Sequence, residues 1–111
     1  MKIGLIAAAF AVCATAATAQ TLSVDGDDAT YTVIELSVDG PADKTITTRR
    51  ADAAGTTFTK HAVSCEPYRA GLMGSGGSLE TMNEGLNASP EMAEIIRFSA
   101  EDVIAGYACA N

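Results

Sequence analysis

The chain has 111 residues, with 14 Asp or Glu against 7 Lys or Arg, and a formal net charge of −7. This length predicts one domain with a modest hydrophobic core. Nucleic acids and anionic membranes are bound by clustered Lys and Arg, so the acidic balance argues against both as partners. Solubility is the simplest explanation of the charge.

The N-terminus has the pattern of a cleavable secretory signal peptide. Lys2 supplies a positive start, residues 3–12 form an uncharged apolar run, and residues 17–19 are small, as signal peptidase requires. We therefore expect residues 1–19 to be removed by a cut between Ala19 and Gln20. The predicted location of the remaining protein is the periplasm or the extracellular space.

Two membrane-anchored alternatives fit the N-terminus less well. A membrane-spanning helix needs about 20 predominantly apolar residues, whereas the strongly apolar run here ends near Val12. A lipoprotein acylated at Cys13 would require a small residue just before that cysteine, and Val12 occupies the position. The sequence therefore predicts no stable membrane anchor after cleavage.

Cleavage changes both the charge and the cysteine count. It leaves residues 20–111, a single domain of 92 residues with six basic and 14 acidic side chains, a balance of −8. Cys65 and Cys109 remain as a pair, and in an oxidising compartment such a pair predicts a disulfide. Two free buried thiols or a redox couple are the alternatives, although redox couples usually have the closer C-x-x-C spacing.

The first half of this domain predicts strands joined by tight turns. Val, Ile, Tyr and Thr are abundant, and clusters of Gly, Pro and Asp separate the apolar runs. In the second predicted strand Ile34, Leu36 and Val38 share one face and polar residues take the other, as in an antiparallel sheet. The predicted strands span residues 21–24, 29–38, 44–50, 56–65 and 68–73, followed by a glycine-rich loop over 74–77.

The second half predicts three short helices. Ser78 is a candidate N-cap for a helix over 79–86, and Ser89 followed by Pro90 predicts another over 91–97. Ser99, with Asp102 three residues later, is typical of a capping box for a helix over 100–109.

The last predicted helix has an apolar stripe that can lie on the sheet. The stripe consists of Val103, Ile104, Tyr107 and Ala108. Cys109 lies off the stripe, so we expect it in a frayed last turn that bends back to Cys65. The sequence thus predicts an α+β fold, an antiparallel meander sheet of four to six strands covered on one face by C-terminal helical segments.

Three motifs bear on catalysis or metal binding, and each has a simpler structural interpretation. Asp25, Asp27 and Asp28 have the spacing that opens a calcium loop, but Ala29 and Leu36 occupy later ligand positions, which favours a solvated turn. The glycine-rich stretch lacks the Lys and the Ser or Thr of a phosphate loop.

The only histidine of the chain, His61, has no catalytic partners in sequence. Ser64 is three residues away on the same predicted strand and so points to the opposite face. We therefore predict a protein that is not an enzyme, without a catalytic residue, a metal site or a cofactor.

Four basic side chains lie on neighbouring predicted strands, Arg49 and Arg50 on one and Lys60 and His61 on the next. They form either a solvated sheet face or a basic patch that binds a partner on an otherwise acidic surface. The second interpretation makes these four residues the candidate partner-binding site.

The order of features resembles a known family. A signal peptide, meandering strands, a strand ending in Ala62-Val63-Ser64-Cys65, a helix capped at Ser99 and a last-turn Cys109 are similar to the surface-adhesin protein E family. The resemblance implies a sheet tied to a C-terminal helix by a disulfide, and some members of this bacterial family bind host matrix proteins.

These observations lead to two hypotheses about function. The first is an exported, non-enzymatic binding or envelope-associated module, adhesin-like, with an unidentified protein partner. The alternative is a small secreted inhibitor of a basic enzyme such as a lysozyme, because an acidic surface suits a basic target.

Overall fold

The structure is a computed structural model that describes residues 20–111. The signal peptide predicted over residues 1–19, including Cys13, lies outside this range. Within it, the elements in chain order are β1 (Gln20–Leu22), β2 (Thr30–Val38), β3 (Asp43–Asp52), β4 (Gly55–Cys65), β5 (Tyr68–Gly76), α1 (Leu79–Glu84), β6 (Ala93–Glu94) and α2 (Ala100–Ala110).

The strands form one antiparallel sheet in the order β1-β2-β3-β4-β5-β6. Each strand therefore pairs with its neighbours in sequence. Short turns join β2, β3, β4 and β5, whereas β5 is joined to β6 through the segment that contains α1. The predicted α+β class, the antiparallel meander and the C-terminal helix are confirmed. No helix within residues 20–111 has the length and apolar character required to cross a membrane.

A bulge in β2 changes which side chains share a face. Val33 pairs with Thr48 and Glu35 with Thr47, so Ile34 is an extra residue between them. Such an insertion reverses the alternation of the strand. Leu36 packs against the core, whereas Ile34 is exposed. The predicted common face of Ile34 and Leu36 is therefore wrong, because strict alternation does not cross a bulge.

One face of the sheet, the α2 face, is covered by α2. Ile46 and Val63 on the central strands are almost fully buried there, as are Ile104 and Ala108 on the helix. The predicted apolar stripe of α2 thus lies on the sheet. A disulfide joins Cys65 at the end of β4 to Cys109 in α2, with 5.7 Å between their Cα atoms. The predicted pairing is confirmed, although Cys109 lies within the helix and not in a frayed turn.

The opposite face, the α1 face, is partly covered by α1. Gly74 and Gly76 lie in β5 and not in a loop, and a Cβ at Gly76 would approach Met82 N to 2.7 Å. The absence of side chains at these two positions lets the helix approach the strand closely. The helical segments are therefore divided between the two faces, which the sequence did not predict.

The helix predicted over residues 91–97 is wrong, because this segment contains β6. Glu94 pairs with Arg69 and Ala93 with Ala70 at the edge of β5. Just before β6 the chain crosses Gly71, where a Cβ would lie 2.7 Å from the Glu91 carbonyl oxygen. The segment thereby carries the chain around the sheet edge from the α1 face to the α2 face.

Candidate binding site

The four residues of the predicted basic patch lie on neighbouring strands, as expected, but not on one face. Arg50 pairs with Thr57 and points to the α2 face, where His61 also lies opposite Ile46. Arg49 and Lys60 point to the α1 face. Two different surfaces therefore share the four residues, and Arg49 and Lys60 are the two that remain neighbours.

Arg50 is held by a local network at the base of the β1–β2 turn. Its guanidinium lies 2.6 Å from the Asp52 carboxylate and 3.3 Å from that of Asp27, and it donates to the Tyr31 hydroxyl at 3.1 Å. Hydrogen bonds, first to Tyr31 and then to Asp52, raise the pKa of Arg50 above its usual range. The guanidinium is thus committed to contacts within the chain.

The aspartate-rich turn is organised around Asp27. Its carboxylate accepts the Ala29 N–H at 2.9 Å and the Tyr31 hydroxyl at 2.8 Å, and these two hydrogen bonds are the main reasons that its pKa is lowered. Both oxygens of Asp27 are therefore occupied. Among residues 20–111, no three His, Cys, Asp or Glu side chains are grouped so that they would hold a metal ion.

His61 is packed between the sheet and α2, with 7% of its surface exposed. Its Nε2 lies 3.7 Å from Glu101 Oε2, beyond hydrogen-bonding distance, and its buried Nδ1 has no hydrogen-bond partner among residues 20–111. Burial lowers the pKa of His61, and the charge of Glu101 opposes this effect. The imidazole is therefore neutral at pH 7 and belongs to the packed interior.

Sequence reasoning did not identify the most exposed large apolar side chains of residues 20–111. Ile96 and Phe98 are 73% and 76% exposed, the highest values among the large hydrophobic side chains of residues 20–111. They lie in the segment 96–98 between β6 and α2, which we call the Phe98 loop. Arg97, between them, places its guanidinium carbon 6.0 Å from the centre of the Phe98 ring.

Hydrogen bonds fix the backbone of the Phe98 loop to α2. The Phe98 N–H donates to Asp102 Oδ2 at 2.8 Å, and the Ser99 hydroxyl donates to the Ile96 carbonyl at 2.6 Å. Ser99 Oγ also accepts the Asp102 N–H, so it is the N-cap of α2, as predicted. The loop is therefore a defined structure held from both ends.

Phe98 has a backbone φ of +65°, in the left-handed region. For a bulky residue this region is a genuine outlier, and residues held there cost on the order of 1–3 kcal/mol. The compensating bond is the one to Asp102, whose pKa is lowered first by the Phe98 N–H and then by Tyr68. Desolvation, and then the hydrogen bond to Asp102, raise the pKa of Tyr68 to about 12.

One sequence signal did bear on this loop. Phe98 immediately precedes the N-cap Ser99, and an apolar residue there often packs against the fourth helical residue, here Val103. Phe98 and Val103 do line one shallow hollow, together with Ser23, Asp25 and Asp102. The ring is nevertheless largely exposed, and the residue has a positive φ, which no sequence pattern indicates for phenylalanine.

The comparisons with known proteins add no family assignment. The chain matches no protein-family model, no curated protein and no solved structure. The resemblance to the surface-adhesin protein E family therefore stays a prediction, and a proposal about function depends on the geometry of the chain itself.

Proposed function

We propose that the protein is an exported, non-enzymatic binding module that uses the Phe98 loop to insert into an apolar pocket of a protein partner. The observation that carries this proposal is the exposure of Ile96 and Phe98 on a loop whose backbone is hydrogen-bonded to side chains of α2 and its N-cap. An exposed apolar surface is stabilised when a partner covers it, by about 1.5–3 kcal/mol for complete burial of a side chain such as phenylalanine.

The fixed backbone of the loop favours binding over simple exposure. Association normally loses free energy because loops and side chains become ordered at the interface. Here the Phe98 N–H is already bonded to Asp102, and Ser99 already holds Ile96. Aromatic side chains are also enriched at protein interfaces. The loop thus has the properties of a preorganised anchor.

The surroundings of Phe98 indicate the chemistry of the partner. Asp25 and Asp102 line the same hollow as the phenyl ring, and the Arg97 guanidinium lies beside that ring. The net charge of residues 20–111 is −8. A complementary partner has an apolar pocket with basic side chains at its rim. Export and location in the periplasm or outside the cell belong to the same proposal, supported by the disulfide, which persists in oxidising compartments.

The test compares two variants in capture from envelope and extracellular fractions. Phe98→Asn removes the ring and keeps a residue that tolerates positive φ, whereas Val38→Thr alters a similarly exposed apolar side chain on another element. We expect one basic protein to be captured by the wild type and by Val38→Thr, and to be lost with Phe98→Asn. Its purified form should bind more weakly as salt increases.

Two results would overturn the proposal. The first is a captured partner that binds Phe98→Asn as tightly as the wild type, since the loop would then not be the anchor. The second is that no protein is enriched above a control without bait. Circular dichroism of Phe98→Asn, matching the wild type, excludes misfolding as the cause of lost binding.

The same loop supports a second function, inhibition of a basic enzyme such as a lysozyme. A rigid phenyl ring flanked by carboxylates suits an active-site cleft with basic residues at its rim. Inhibition predicts that the enzyme loses activity when the wild-type protein is added in stoichiometric amount. The enzyme should keep its activity when Phe98→Asn is added instead. Adhesion, as the resemblance implies, instead predicts saturable binding to matrix proteins without loss of an enzyme activity.

A further inference from the structure

A second concave surface lies on the α1 face, away from the Phe98 loop. It is an open cleft of about 330 Å³ between α1 and strands β2, β3 and β4. This volume is at the lower end of the range for small-molecule sites, which combine apolar walls with a few polar groups. The apolar walls are formed by Ile34, Leu79 and Met82.

Three of the four polar residues that line the cleft lie in a row across three strands, and the fourth, Asn83, lies on α1. Glu35 and Lys60 both pair with Thr47, one from each side, so the three side chains share a face. Neighbouring strands are about 4.8 Å apart. Glu35 and Lys60 are therefore roughly 10 Å apart at the backbone, with the Thr47 hydroxyl between them.

These polar groups have no partner within the described part of the chain. Neither Glu35 nor Lys60 forms an ion pair, and the hydroxyl of Thr47, a residue only 3% exposed, makes no side-chain hydrogen bond. The charge of Lys60 acts on Asp39. The pKa of Asp39 is lowered mainly by hydrogen bonds from Thr45 and Ser37, and to a smaller extent by the charge of Lys60. Both Asp39 oxygens already accept those hydroxyls.

The helix that closes the cleft is firmly placed. Met82 is 2% exposed, and its backbone lies against Gly74 and Gly76, where no Cβ would fit without displacement. The wall formed by Leu79 and Met82 is therefore part of the packed structure. Opposite charges at the two ends, a hydroxyl in the middle and apolar walls together define the ligand that fits.

We propose that this cleft binds short apolar peptides by their free termini, with the carboxylate at Lys60 and Thr47 and the ammonium at Glu35. An extended chain advances about 3.3–3.6 Å per residue, so a dipeptide is shorter than the separation of the Glu35 and Lys60 backbones. In the complex the two side chains extend toward each other and span the remaining distance to the ligand's termini. The apolar side chains of the ligand contact Ile34 and Leu79, which are 42% and 40% exposed. This site is independent of the Phe98 loop.

The test is NMR titration of the purified protein with the dipeptide Leu-Leu and with its acetylated, amidated form. We expect Leu-Leu to shift the backbone resonances of Thr47, Lys60 and α1. Because hydrogen bonds to charged groups are stronger than those between neutral groups, Lys60→Gln and Glu35→Gln should each weaken binding about tenfold or more. The blocked peptide lacks both charged termini, so its affinity for the wild type should be no higher than that of Leu-Leu for Lys60→Gln or Glu35→Gln.

Arg49→Gln is the matched control, because Arg49 is a basic residue of the same face that does not line the cleft. It should bind Leu-Leu as the wild type does, and so should Phe98→Asn. Equal binding of free and blocked peptides, an equal loss in Arg49→Gln and Lys60→Gln, or no resonance shifts in the cleft would each overturn the proposal. Preserved chemical-shift dispersion shows that the variants fold.

Discussion

The backbone N–H of Phe98 donates to the Asp102 carboxylate at 2.8 Å, and this contact links the most exposed aromatic ring of the described chain to the first turn of α2. The other carboxylate oxygen accepts the Tyr68 hydroxyl, also at 2.8 Å. Asp102 thus connects the Phe98 loop, the helix and strand β5. Asp102 and Ser99 are therefore the two side chains that hold the loop.

Replacing Asp102 should loosen the loop without unfolding the domain. In Asp102→Ala the Phe98 N–H loses its side-chain acceptor, and the Tyr68 hydroxyl keeps only the backbone carbonyl of residue 102. Ser99 still caps α2. We expect faster hydrogen exchange at the Phe98 amide and weaker partner binding, with little change at the amides of β3 and β4. Hydrogen exchange followed by NMR measures this effect. Asp25→Ala, which removes a carboxylate from the same hollow but no bond to Phe98, should leave the exchange unchanged.

The disulfide should contribute a large share of the stability. It joins residues 44 apart, and in the chain-entropy model a loop of this length contributes about 4 kcal/mol. We expect a variant carrying both Cys65→Ser and Cys109→Ser to have a lower free energy of unfolding in urea titrations, by most of this contribution. Reductant should destabilise the wild type and leave the double variant unaffected. A wild type whose midpoint is insensitive to reductant would contradict the prediction.

The glycines of β5 should be intolerant of side chains. A Cβ at Gly76 would lie 2.7 Å from Met82 N and 2.9 Å from Thr81 Cγ2, so α1 would have to move. Overpacking of this kind typically costs about 1–3 kcal/mol. Gly77, the next residue, has no atom within 4 Å of its Cβ position. Gly77→Ala should therefore be close to neutral in denaturant unfolding, while Gly76→Ala is destabilised.

These glycines also explain what the sequence did and did not predict. The strands and the disulfide follow from local composition and from two cysteines, so they were predictable. The helix expected over 91–97 failed because Gly71 lets this segment cross β5 closely, where the edge of the strand accepts β6. A helix of seven residues gains little from propensity alone. The contact that decided the outcome lies 20 residues away in sequence.

The candidate sites were less predictable than the fold. The basic patch was inferred from adjacency in sequence, but alternation places Arg50 and His61 on the α2 face and Arg49 and Lys60 on the α1 face. The cleft at Lys60 also requires the bulge at Ile34, which brings that side chain to the α1 face. Bulges and positive φ values at residues other than glycine have no reliable sequence signature.

The two neighbouring arginines should respond differently to substitution. Arg50 holds Tyr31, Asp27 and Asp52 together, whereas Arg49 is exposed on the other face. We expect Arg50→Gln to lower the melting temperature clearly and Arg49→Gln to leave it almost unchanged. Thermal unfolding at low and high salt distinguishes the two.

A partner-binding role for the basic patch is tested separately with Arg49→Glu and Lys60→Glu, because both substitutions preserve the Arg50 network.

Stability should fall between pH 7 and pH 5 because of His61. Burial lowers the pKa of this imidazole below its ordinary value of 6.5 in the folded state. In that range the unfolded chain binds a proton that the folded chain does not, so the free energy of unfolding decreases as the pH falls. The slope for one group is at most about 1.4 kcal/mol per pH unit.

The loss of stability between pH 7 and pH 5 should come from His61 alone. Protonation would place a charge among Ile46, Leu72 and α2, with Glu101 too distant to accept a hydrogen bond from Nε2. The carboxylates with lowered pKa, such as Asp27 and Asp102, titrate at lower pH. In His61→Leu, urea unfolding should therefore give the same free energy at pH 7 and pH 5. If the wild type shows the same flat profile, the imidazole accepts its proton without cost, and its position against α2 does not oppose the charge.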